Sequence, residues 1–452
     1  MAITYIEYTD LLEKVQHFLA ESHPDALTDS AHYDQIKAYV RQYIHKNGLY
    51  VEGLETNDVV DSLYSEMVEY SFLTPYMDRE DVDEININAW DDVVVSYADG
   101  RTEKIGSFFS PKYALDIVRK MLNHSHSQLD GAIPYAEGQL PNNARITAMM
   151  TPLVDKDIYV AASIRLLHPS KITITNLVEG ESASEDMLRF LCACMRYGVS
   201  FVVAGATFSG KTTLLNAILK TMPDERRIYT IEAGTRELDL VRRTENTSEE
   251  ENAKTYKNVE VSIVNNVVHT LARRSDKAAQ DISMEDLVVA ALRFNPDLIV
   301  LGEMRDEEAM AAIDASLTGH TLVSTIHSFA GEEAHMRLAT LCQKRFPMGL
   351  EISLMQAAKA FPVVCFEQKL DDGSRKIMNI TECEVDDMGR RKYHTLFRYV
   401  VERNEYVDGK LQIVGHYEAV EPLSNSLRER MVMFGIPADF LQQLENIPRK
   451  GR

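Results

Sequence analysis

The sequence feature that most constrains the fold is the segment GATFSGKTT at residues 205–213. It matches the pattern G-x4-G-K-[ST], follows the apolar run 199–204 and precedes a helical pattern that begins at Thr212. In such a loop the backbone N–H groups and the helix N-terminus surround phosphates. Lys211 can then reach the β- and γ-phosphate oxygens, and the hydroxyl of Thr212 can ligate Mg²⁺. The residues predicted to bind the nucleotide are Gly205, Ala206, Thr207, Ser209, Gly210, Lys211, Thr212 and Thr213.

Strand and helix patterns alternate on both sides of this loop. The predicted strands are 199–204, 227–231, 297–301 and 321–326, and the predicted helices are 184–196, 212–221, 285–293 and 306–317. This rhythm is typical of a mostly parallel sheet with helices on both faces, so the predicted fold class is α/β. The polar stretch 244–257 is predicted to be an exposed loop.

Two further regions precede this domain. Residues 1–75 are predicted to be a helical segment, because apolar residues recur at helical spacing over 8–20, 33–46 and 57–72. Residues 76–168 are predicted to be a smaller α+β domain. Its predicted strands are 83–88, 93–97, 101–105, 145–150 and 159–166, and its predicted helix is 111–123.

A polar linker is predicted at 169–184, and the α/β domain then extends over 185–452. Ser182 and Glu185 stand at the spacing of a capping box for the helix that follows the linker. The C-terminal part of the domain is predicted to be antiparallel. Its predicted strands are 363–369, 376–385 and 393–401, and its predicted helix is 426–443.

Polar side chains follow three of the apolar strands. Glu232 comes after the strand at 227–231, Glu303 follows 297–301, and His327 follows 321–326. Considered alone, each of these residues would be interpreted as an ordinary surface residue. The carboxyl ends of strands in an open α/β sheet, however, form one ligand crevice. A glutamate there can hold the Mg²⁺ shell or orient an attacking water, so the group predicts a catalytic edge.

Two histidines flank one strand, in the segment TGHTLVSTIHS at 318–328. His320 precedes the strand and His327 ends it, so most of a strand length separates them. A shared metal ion is therefore the weaker interpretation. Sensing of a phosphate by His327 is the more economical one.

Composition narrows the class of protein. The net charge is −21, which argues against broad nucleic-acid binding, although a local basic channel remains open. The N-terminal stretch lacks the features of a signal peptide, and no apolar run of about 20 residues occurs, so a cytoplasmic protein with a peripheral membrane role is expected. The five cysteines form no CxxC pair and are predicted to be reduced, mostly buried thiols.

Four segments in this order and spacing resemble the type II/IV secretion system ATPase family. They are GATFSGKTT, TIEAGTREL at 230–238, PDLIVLGEMRDEEA at 296–309 and TGHTLVSTIHS. In the family's terms they correspond to the Walker A, Asp box, Walker B and His box. The resemblance covers most of the chain, and within the family it is nearest to the branch that drives Flp/Tad pilus assembly, the CpaF-like branch, beside the conjugation and type IV secretion ATPases.

The resemblance implies a RecA-like P-loop ATPase domain that hydrolyses ATP with Mg²⁺ held through Thr212 and Glu303. It also implies a homo-hexamer that works at an inner-membrane platform protein of a pilus or secretion machine. His320 would then contact the nucleotide. The residues with implied catalytic roles are Arg145, Arg165, Glu232, Glu237, Glu303 and His327.

Two positions depart from the family pattern. Phe208 stands where the family usually has glycine, and it costs energy if that position needs a positive φ. The Asp box contains both Glu232 and Glu237 in a looser pattern than usual, so either glutamate remains a candidate for polarising the water.

Other functions remain open from the sequence. A conjugative DNA-transfer ATPase or RecA-like helicase is the alternative in the nucleic-acid class, and the acidic balance weighs against it. A nucleotide-binding subunit with weak turnover is the third possibility, and Phe208 is the residue that supports it. The cargo (pilin, protein or DNA) is equally open.

Overall fold

The computed structural model describes residues 4–23, 33–97, 100–125, 127–142, 144–166, 172–242, 254–256, 259–261, 264–273, 281–329, 331–345, 349–407 and 409–449. The chain divides into two compact units, 1–168 and 169–452. Across the described ranges, none of the helices combines the length and the apolar character needed to span a membrane.

The first unit begins with a small helical bundle. It comprises β1 (Thr4–Tyr5), α1 (Tyr8–Ser22), α2 (Tyr33–Asn47), β2 (Leu49–Tyr50), α3 (Thr56–Val68) and the short α4 (Thr74–Met77). The helices predicted at 8–20 and 33–46 are confirmed, and their apolar stripes pack into one cluster with α3. The helix predicted at 57–72 is too long. It ends at Val68 because Glu69 is extended and Ser71 has a φ of 60°, which no α-helix can continue.

A six-stranded antiparallel sheet forms the rest of the first unit. Its elements are β3 (Val82–Ala89), β4 (Asp92–Tyr97), β5 (Thr102–Gly106), α5 (Pro111–Asn123), β6 (Tyr135–Gln139), β7 (Arg145–Met150) and β8 (Val160–Arg165). The strand order is β5-β4-β3-β8-β7-β6, and α5 packs its apolar side against one face. The five predicted strands and the helix are confirmed. Strand β6 was not predicted, because its sequence YAEGQ lacks the alternation of a half-buried strand.

The second unit is built on a nine-stranded sheet covered by helices on both faces. Its strands in chain order are β9 (Phe201–Ala204), β10 (Arg227–Ala233), β11 (Lys254–Tyr256), β12 (Val259–Val261), β13 (Asn266–Ala272), β14 (Leu298–Met304), β15 (Leu322–Ile326), β16 (Val363–Lys369), β17 (Arg375–Val385), β18 (Arg391–Val407) and β19 (Lys410–Ala419). The order in the sheet is β13-β10-β14-β15-β9-β16-β17-β18-β19, with β11 and β12 pairing separately. In this order the first six strands, β13 to β16, run parallel to one another. The last three, β17, β18 and β19, are antiparallel to their neighbours.

Two helical layers cover this sheet. The helices in chain order are α6 (Ile174–Glu179), α7 (Glu185–Arg196), α8 (Lys211–Leu219), α9 (Met284–Ala291), α10 (Glu308–Leu317), α11 (Gly331–Arg345), α12 (Leu350–Ala360), α13 (Asn425–Met433) and α14 (Ala438–Glu445). Helices α7 and α8 share a core with α13 and α14, and helices α9 to α12 form a second core on the other face. The predicted α/β class is confirmed. All residues of the central strand β9 are buried, as expected for a parallel strand between two helical layers.

Several local predictions need correction. The stretch predicted as a linker contains helix α6, and Ser184 rather than Ser182 caps α7, since its Oγ accepts a hydrogen bond from the Met187 N–H at 3.2 Å. Most of the loop predicted at 244–257 lies outside the described residues, but 254–256 form strand β11. The edge strand β13 and the helices α11 and α12 were not predicted.

The C-terminal part is longer and more regular than the sequence indicated. The predicted strand at 393–401 extends to Val407 and pairs with β19, which was not predicted. The helix predicted at 426–443 is instead two helices, α13 and α14. Gly435 separates them with a φ of 83°, and Pro437 is the N-cap residue of the second helix. All five cysteines are buried and free, as predicted.

Candidate active site at the strand ends

Four adjacent parallel strands deliver the predicted residues to one edge of the sheet. The order β10-β14-β15-β9 places Glu232, Glu303, His327 and Gly205 at or just past the ends of neighbouring strands. Parallel strands share one carboxyl edge, so these four positions lie side by side. The strand-end pattern in the sequence therefore corresponds to a real cluster in the structure.

The phosphate-binding loop joins β9 to α8. Gly210 immediately precedes the helix with a φ of 111°, a region that favours glycine. Phe208 has a φ of 63° and a side chain that is 60% exposed. The position that departs from the family pattern thus does require a positive φ, and the non-glycine residue there carries a strain of about 1 kcal/mol. The buried Ser209 Oγ has no hydrogen-bond partner among the described residues.

Lys211 is buried within the loop and only 7% exposed. Its Nζ donates to the carbonyl oxygen of Ala206 at 2.7 Å and lies 3.4 Å from Nδ1 of His327. Burial lowers the pKa of Lys211, while the carboxyl groups of Glu303 and Glu367 favour its charged form. The ammonium group is thus held beside the loop by short-range contacts that phosphate oxygens can replace.

Glu303 and His327 meet at the next two strand ends. Nε2 of His327 lies 3.0 Å from Oε1 of Glu303, close enough for an ion pair but without the alignment of a hydrogen bond. The other carboxyl oxygen of Glu303 accepts from Nη2 of Arg305 at 2.5 Å. On its second nitrogen, His327 is 3.3 Å from the carbonyl oxygen of Gly205. His327 therefore links the loop to the Walker B carboxylate.

The protonation of the His327 ring selects between two partners. Its Nδ1 faces the ammonium of Lys211, which only donates, and the carbonyl of Gly205, which only accepts. A bare Nδ1 suits Lys211, and a protonated Nδ1 suits Gly205. Any ligand that draws Lys211 away thus changes the hydrogen bond that His327 makes.

The two glutamates of the Asp box face different ways. Glu232 is 3% exposed, and its Oε1 accepts hydrogen bonds from the backbone N–H groups of Glu237 and Leu238 at 2.6 and 2.9 Å. Burial raises the pKa of Glu232 to about 7, against these two hydrogen bonds. Glu237 instead accepts from the Thr212 hydroxyl at 3.4 Å. The geometry places Glu232 under the loop that carries Glu237, and Glu237 beside the predicted Mg²⁺ ligand.

The chemistry of this donor set fits Mg²⁺ and a nucleotide. Mg²⁺ prefers a few carboxylate and hydroxyl oxygens completed by phosphates and water. Thr212, Glu237 and Glu303 would supply such oxygens. The orphaned hydroxyl of Ser209 and the N-terminus of α8 supply donors for phosphate oxygens.

Three of the predicted site residues do not belong to this group of strand ends in the second unit. His320 stands at the amino end of β15, the opposite end of the strand from His327, so the structure does not bring it to the loop. Arg145 and Arg165 lie in the first unit, directly opposite each other on β7 and β8. They share the face of the sheet that points away from its core, because Ile146 and Ile164 beside them point into it.

Two residues near the loop were missed by sequence reasoning. Glu367 is 3% exposed and lies beside the loop at the end of β16, and Arg375 on β17 donates from Nε to the carbonyl oxygen of Phe208 at 3.2 Å. A glutamate at the end of an apolar strand was the available signal. The sequence of 363–369 predicts a strand of the antiparallel C-terminal part, which does not place its end beside the loop.

Comparison with known proteins gives a consistent picture. Residues 113–436, more than half of the chain, match the family described as type II/IV secretion system protein. An uncharacterized protein of Methanocaldococcus jannaschii is 28% identical over 47% of this chain and 34% of its own length. The type IV secretion system protein PtlH of Bordetella pertussis is 31% identical over 41% of this chain and 50% of its own length.

Among solved structures, the X-ray structure of the Legionella pneumophila ATPase DotB aligns with 80% of this chain and 82% of its own, at 17% identity and a TM-score of 0.41. The chain thus spans about a third and a half of the two relatives' lengths. The family match includes the phosphate-binding loop, the Asp box, Walker B and the His box, as well as Arg145 and Arg165. This chain belongs to the type II/IV secretion system protein family.

Proposed function

We propose that this chain is an ATP hydrolase whose turnover powers pilus assembly or protein secretion at a membrane machine. The observation that carries the proposal is the connected cluster of Lys211, His327 and Glu303 at adjacent strand ends beside the phosphate-binding loop. A nucleotide-binding protein without turnover needs the loop and its lysine. The carboxylates and the histidine at the neighbouring strand ends are what hydrolysis requires in addition.

Each residue then has a separate task in the reaction. The loop N–H groups and the start of α8 bind the phosphates, and Lys211 leaves the Ala206 carbonyl for the β/γ oxygens. Thr212 and Glu303 would hold Mg²⁺, which when bound neutralises the charge on the β- and γ-phosphates. Glu237 is the better placed Asp-box residue to orient the attacking water, because Glu232 is committed to the loop backbone.

His327 reports the state of the γ-phosphate in this scheme. When Lys211 turns towards phosphate, Nδ1 of His327 loses its lysine partner and is left with the Gly205 carbonyl. Nε2 remains next to Glu303. The ring therefore connects occupancy of the loop to the carboxylate that holds Mg²⁺.

The assembly part of the proposal rests on the family. We infer a homo-hexamer that docks on an inner-membrane platform protein from the cytoplasmic side, with Arg145 and Arg165 closing over phosphates. A ring with one repeated head-to-tail interface closes without leaving an unpaired face. His320 remains a proposed nucleotide contact on the strength of the family's His box alone.

A subunit with weak turnover is the second candidate, and one observation favours it. Phe208 has a positive φ at a position where the family usually has glycine. The backbone of the loop is therefore strained, and this strain can slow the rearrangement needed for catalysis. Strong nucleic-acid binding is not expected of a chain with a net charge of −21.

One experiment tests the proposal directly. Phosphate release from ATP is measured with the purified chain in Mg²⁺ and in excess EDTA, and then with single-stranded or duplex DNA added. We expect Mg²⁺-dependent turnover that DNA does not stimulate. Absence of turnover despite tight nucleotide binding would support the weak-turnover subunit, and strong stimulation by DNA would support the DNA-transfer alternative.

A further inference from the structure

Strand register brings a distant part of the chain against the phosphate-binding loop. Strand β16 pairs in parallel with β9, and the last paired residues are Phe366 and Ala204. Beyond this last pair, Glu367 on β16 therefore lies next to Gly205 of the loop. The register of the β16–β17 ladder also shifts at this point, between Phe366 and Glu367.

Two loop glycines are packed against the β16–β17 hairpin. A Cβ atom at Gly205 would collide with the carbonyl oxygen of Glu367. A Cβ atom at Gly210 would lie 2.6 Å from Oε1 of Glu367 and 3.0 Å from Cδ of Arg375. The contact at Gly205 is with backbone, which cannot shift cheaply, so the hairpin requires glycine there. At Gly210 the contacts are with the ends of side chains, and the φ of 111° is what favours glycine. The loop therefore packs directly against Glu367.

Arg375 contacts the strained residue of the loop. Its Nε–H donates to the carbonyl oxygen of Phe208 at 3.2 Å, which orients the peptide that follows the positive φ. The hairpin turn behind Arg375 is tied down in turn, because Asp372 accepts from the Ser374 and Ile413 backbone N–H groups at 2.9 Å each. The contact thus comes from a rigid element.

The side chain of Glu367 lies between two cations. Arg375 and Lys211 both favour its ionised form, while burial raises its pKa to about 8. Its Oε2 has no hydrogen-bond partner within the described part of the chain. Burying a carboxyl oxygen without a hydrogen bond costs free energy, so the place of Glu367 under the loop calls for a role beyond folding.

We propose that Arg375 and Glu367 are positioning residues, which hold the phosphate-binding loop in its nucleotide-ready shape from the C-terminal hairpin. Arg375 fixes the loop at Phe208, and Glu367 supports it at Gly205 and Gly210. We call these contacts of Arg375 and Glu367 with the loop the brace. The proposal rests on the proposed ATP function for its consequence, but the contacts themselves do not depend on it.

The test compares Arg375→Gln with wild type by hydrogen exchange and by binding of fluorescent mant-ATP. Arg403→Gln is the matched control, since Arg403 lies on the exposed side of β18 and pairs with Glu405. Without nucleotide, we expect amides at 205–210 to exchange about tenfold faster in Arg375→Gln and unchanged in the control. The Kd for mant-ATP should rise by about tenfold, with kcat at saturating ATP within about twofold of wild type, because bound phosphates re-form the loop.

Two further variants separate the brace from other roles. Glu367→Asp keeps a carboxyl group but withdraws it from the loop, so it should also speed exchange in the loop. In a Phe208→Gly background, Arg375→Gln should cost less than about threefold in affinity, because glycine adopts the positive φ without help. Equal losses in both backgrounds, or a large fall in kcat with unchanged Kd, would assign Arg375 a direct role at the phosphates and overturn the brace.

The outcomes also distinguish this inference from the proposed function. Faster loop exchange in Arg375→Gln in a protein that binds no ATP would support the brace and refute the ATP function. Unchanged loop exchange and affinity in a protein that hydrolyses ATP would refute the brace and leave the function standing.

Discussion

Nε2 of His327 lies 3.0 Å from Oε1 of Glu303, across the ends of two adjacent parallel strands. The relationship follows from register, because Met304 pairs with Ile326 and the two site residues are their immediate neighbours. Arg305 holds the other oxygen of the same carboxyl group. Glu303 thus has partners on both oxygens, and a Mg²⁺ ion held as we propose would have to share the carboxyl group with them.

Replacing Glu303 with glutamine tests whether its charge is needed for hydrolysis. Glu303→Gln preserves the shape of the side chain and removes the charge that would hold the Mg²⁺ shell. We expect mant-ATP affinity within about threefold of wild type and a loss of turnover of about a hundredfold or more. Steady-state phosphate release and a binding titration measure the two effects. Glu333→Gln, at an exposed position on α11, is the control. Normal turnover in Glu303→Gln would leave Glu303 with a structural role only.

Lys211→Ala should abolish turnover, since the β/γ oxygens lose their charged partner. Lys211 is buried, and its ammonium group donates a hydrogen bond to the Ala206 carbonyl oxygen. The loss of that hydrogen bond costs about 1 kcal/mol, and the release of a buried charge offsets part of it. The variant should therefore melt within a few degrees of wild type.

Lys359→Ala on α12 is the matched control for Lys211→Ala, because Lys359 is exposed. Circular dichroism melting and phosphate release on the same preparations separate lost activity from lost fold. Turnover near the wild-type rate in well-folded Lys211→Ala would remove the assignment of the phosphate-binding loop.

Phe208→Gly should keep or raise activity. The residue has a φ of 63°, which glycine adopts freely and phenylalanine adopts at a cost of about 1 kcal/mol. Its side chain is 60% exposed, so little packing is lost with it. Steady-state kinetics and thermal melting check both expectations. A large fall in turnover would mean that the aromatic ring itself contributes to the reaction.

The catalytic edge was predictable because its signal is local. Runs of apolar, mostly β-branched residues mark the parallel strands, and in such a sheet the residue after each run lies at the carboxyl edge. Glu303 and His327 could be placed in this way, and the loop at 205–213 marks its own strand and helix.

The remainder of the site depends on contacts between distant parts of the chain. Nothing near Glu367 in the sequence says that β16 inserts beside β9, so its place under the loop is visible only in the structure. The electrostatic surroundings of Lys211 depend likewise on Glu303 and Glu367, which arrive from other strands and favour its charged form. The different orientations of Glu232 and Glu237 are set by a turn whose backbone N–H groups both point to one carboxyl oxygen.

Glu232 should make stability depend on pH. Its pKa rises from an ordinary value of 4.5 to about 7, so between these values the folded state keeps a proton that the unfolded chain has released. The free energy of unfolding therefore falls as pH rises through this window, by a total on the order of 3 kcal/mol. Glu232→Gln retains an oxygen that accepts from Glu237 and Leu238 but cannot ionise.

The comparison is between the melting temperatures of wild type and Glu232→Gln at pH 5 and pH 8. The variant should lose less stability across this range than wild type, while contributions from other groups such as Glu367 are common to both proteins. Glu333→Gln should follow the wild-type profile. Parallel profiles for Glu232→Gln and wild type would show that Glu232 titrates near its ordinary pKa.

Arg165→Ala tests whether the first unit contributes to catalysis. Arg165 and Arg145 stand opposite each other on the face of the sheet away from its core, where two guanidinium groups can meet one phosphate. An arginine that stabilises the charge developing on the γ-phosphate acts mainly in the transition state. We therefore expect kcat to fall by about a hundredfold while nucleotide affinity changes little. Arg79→Ala is the control, since Arg79 is an exposed residue of the same unit that pairs with Asp81.

The same preparations test assembly by sedimentation with and without a slowly hydrolysed ATP analogue. We expect the analogue to favour a hexamer, because a phosphate that is closed by arginines from a neighbouring copy stabilises the ring interface. Arg165→Ala should then need more analogue to assemble, and Arg79→Ala should behave as wild type. A wild-type protein that stays monomeric with the analogue at micromolar concentration, together with an unchanged kcat in Arg165→Ala, would exclude the ring motor. The chain would then be a nucleotide-binding protein that acts as a single subunit.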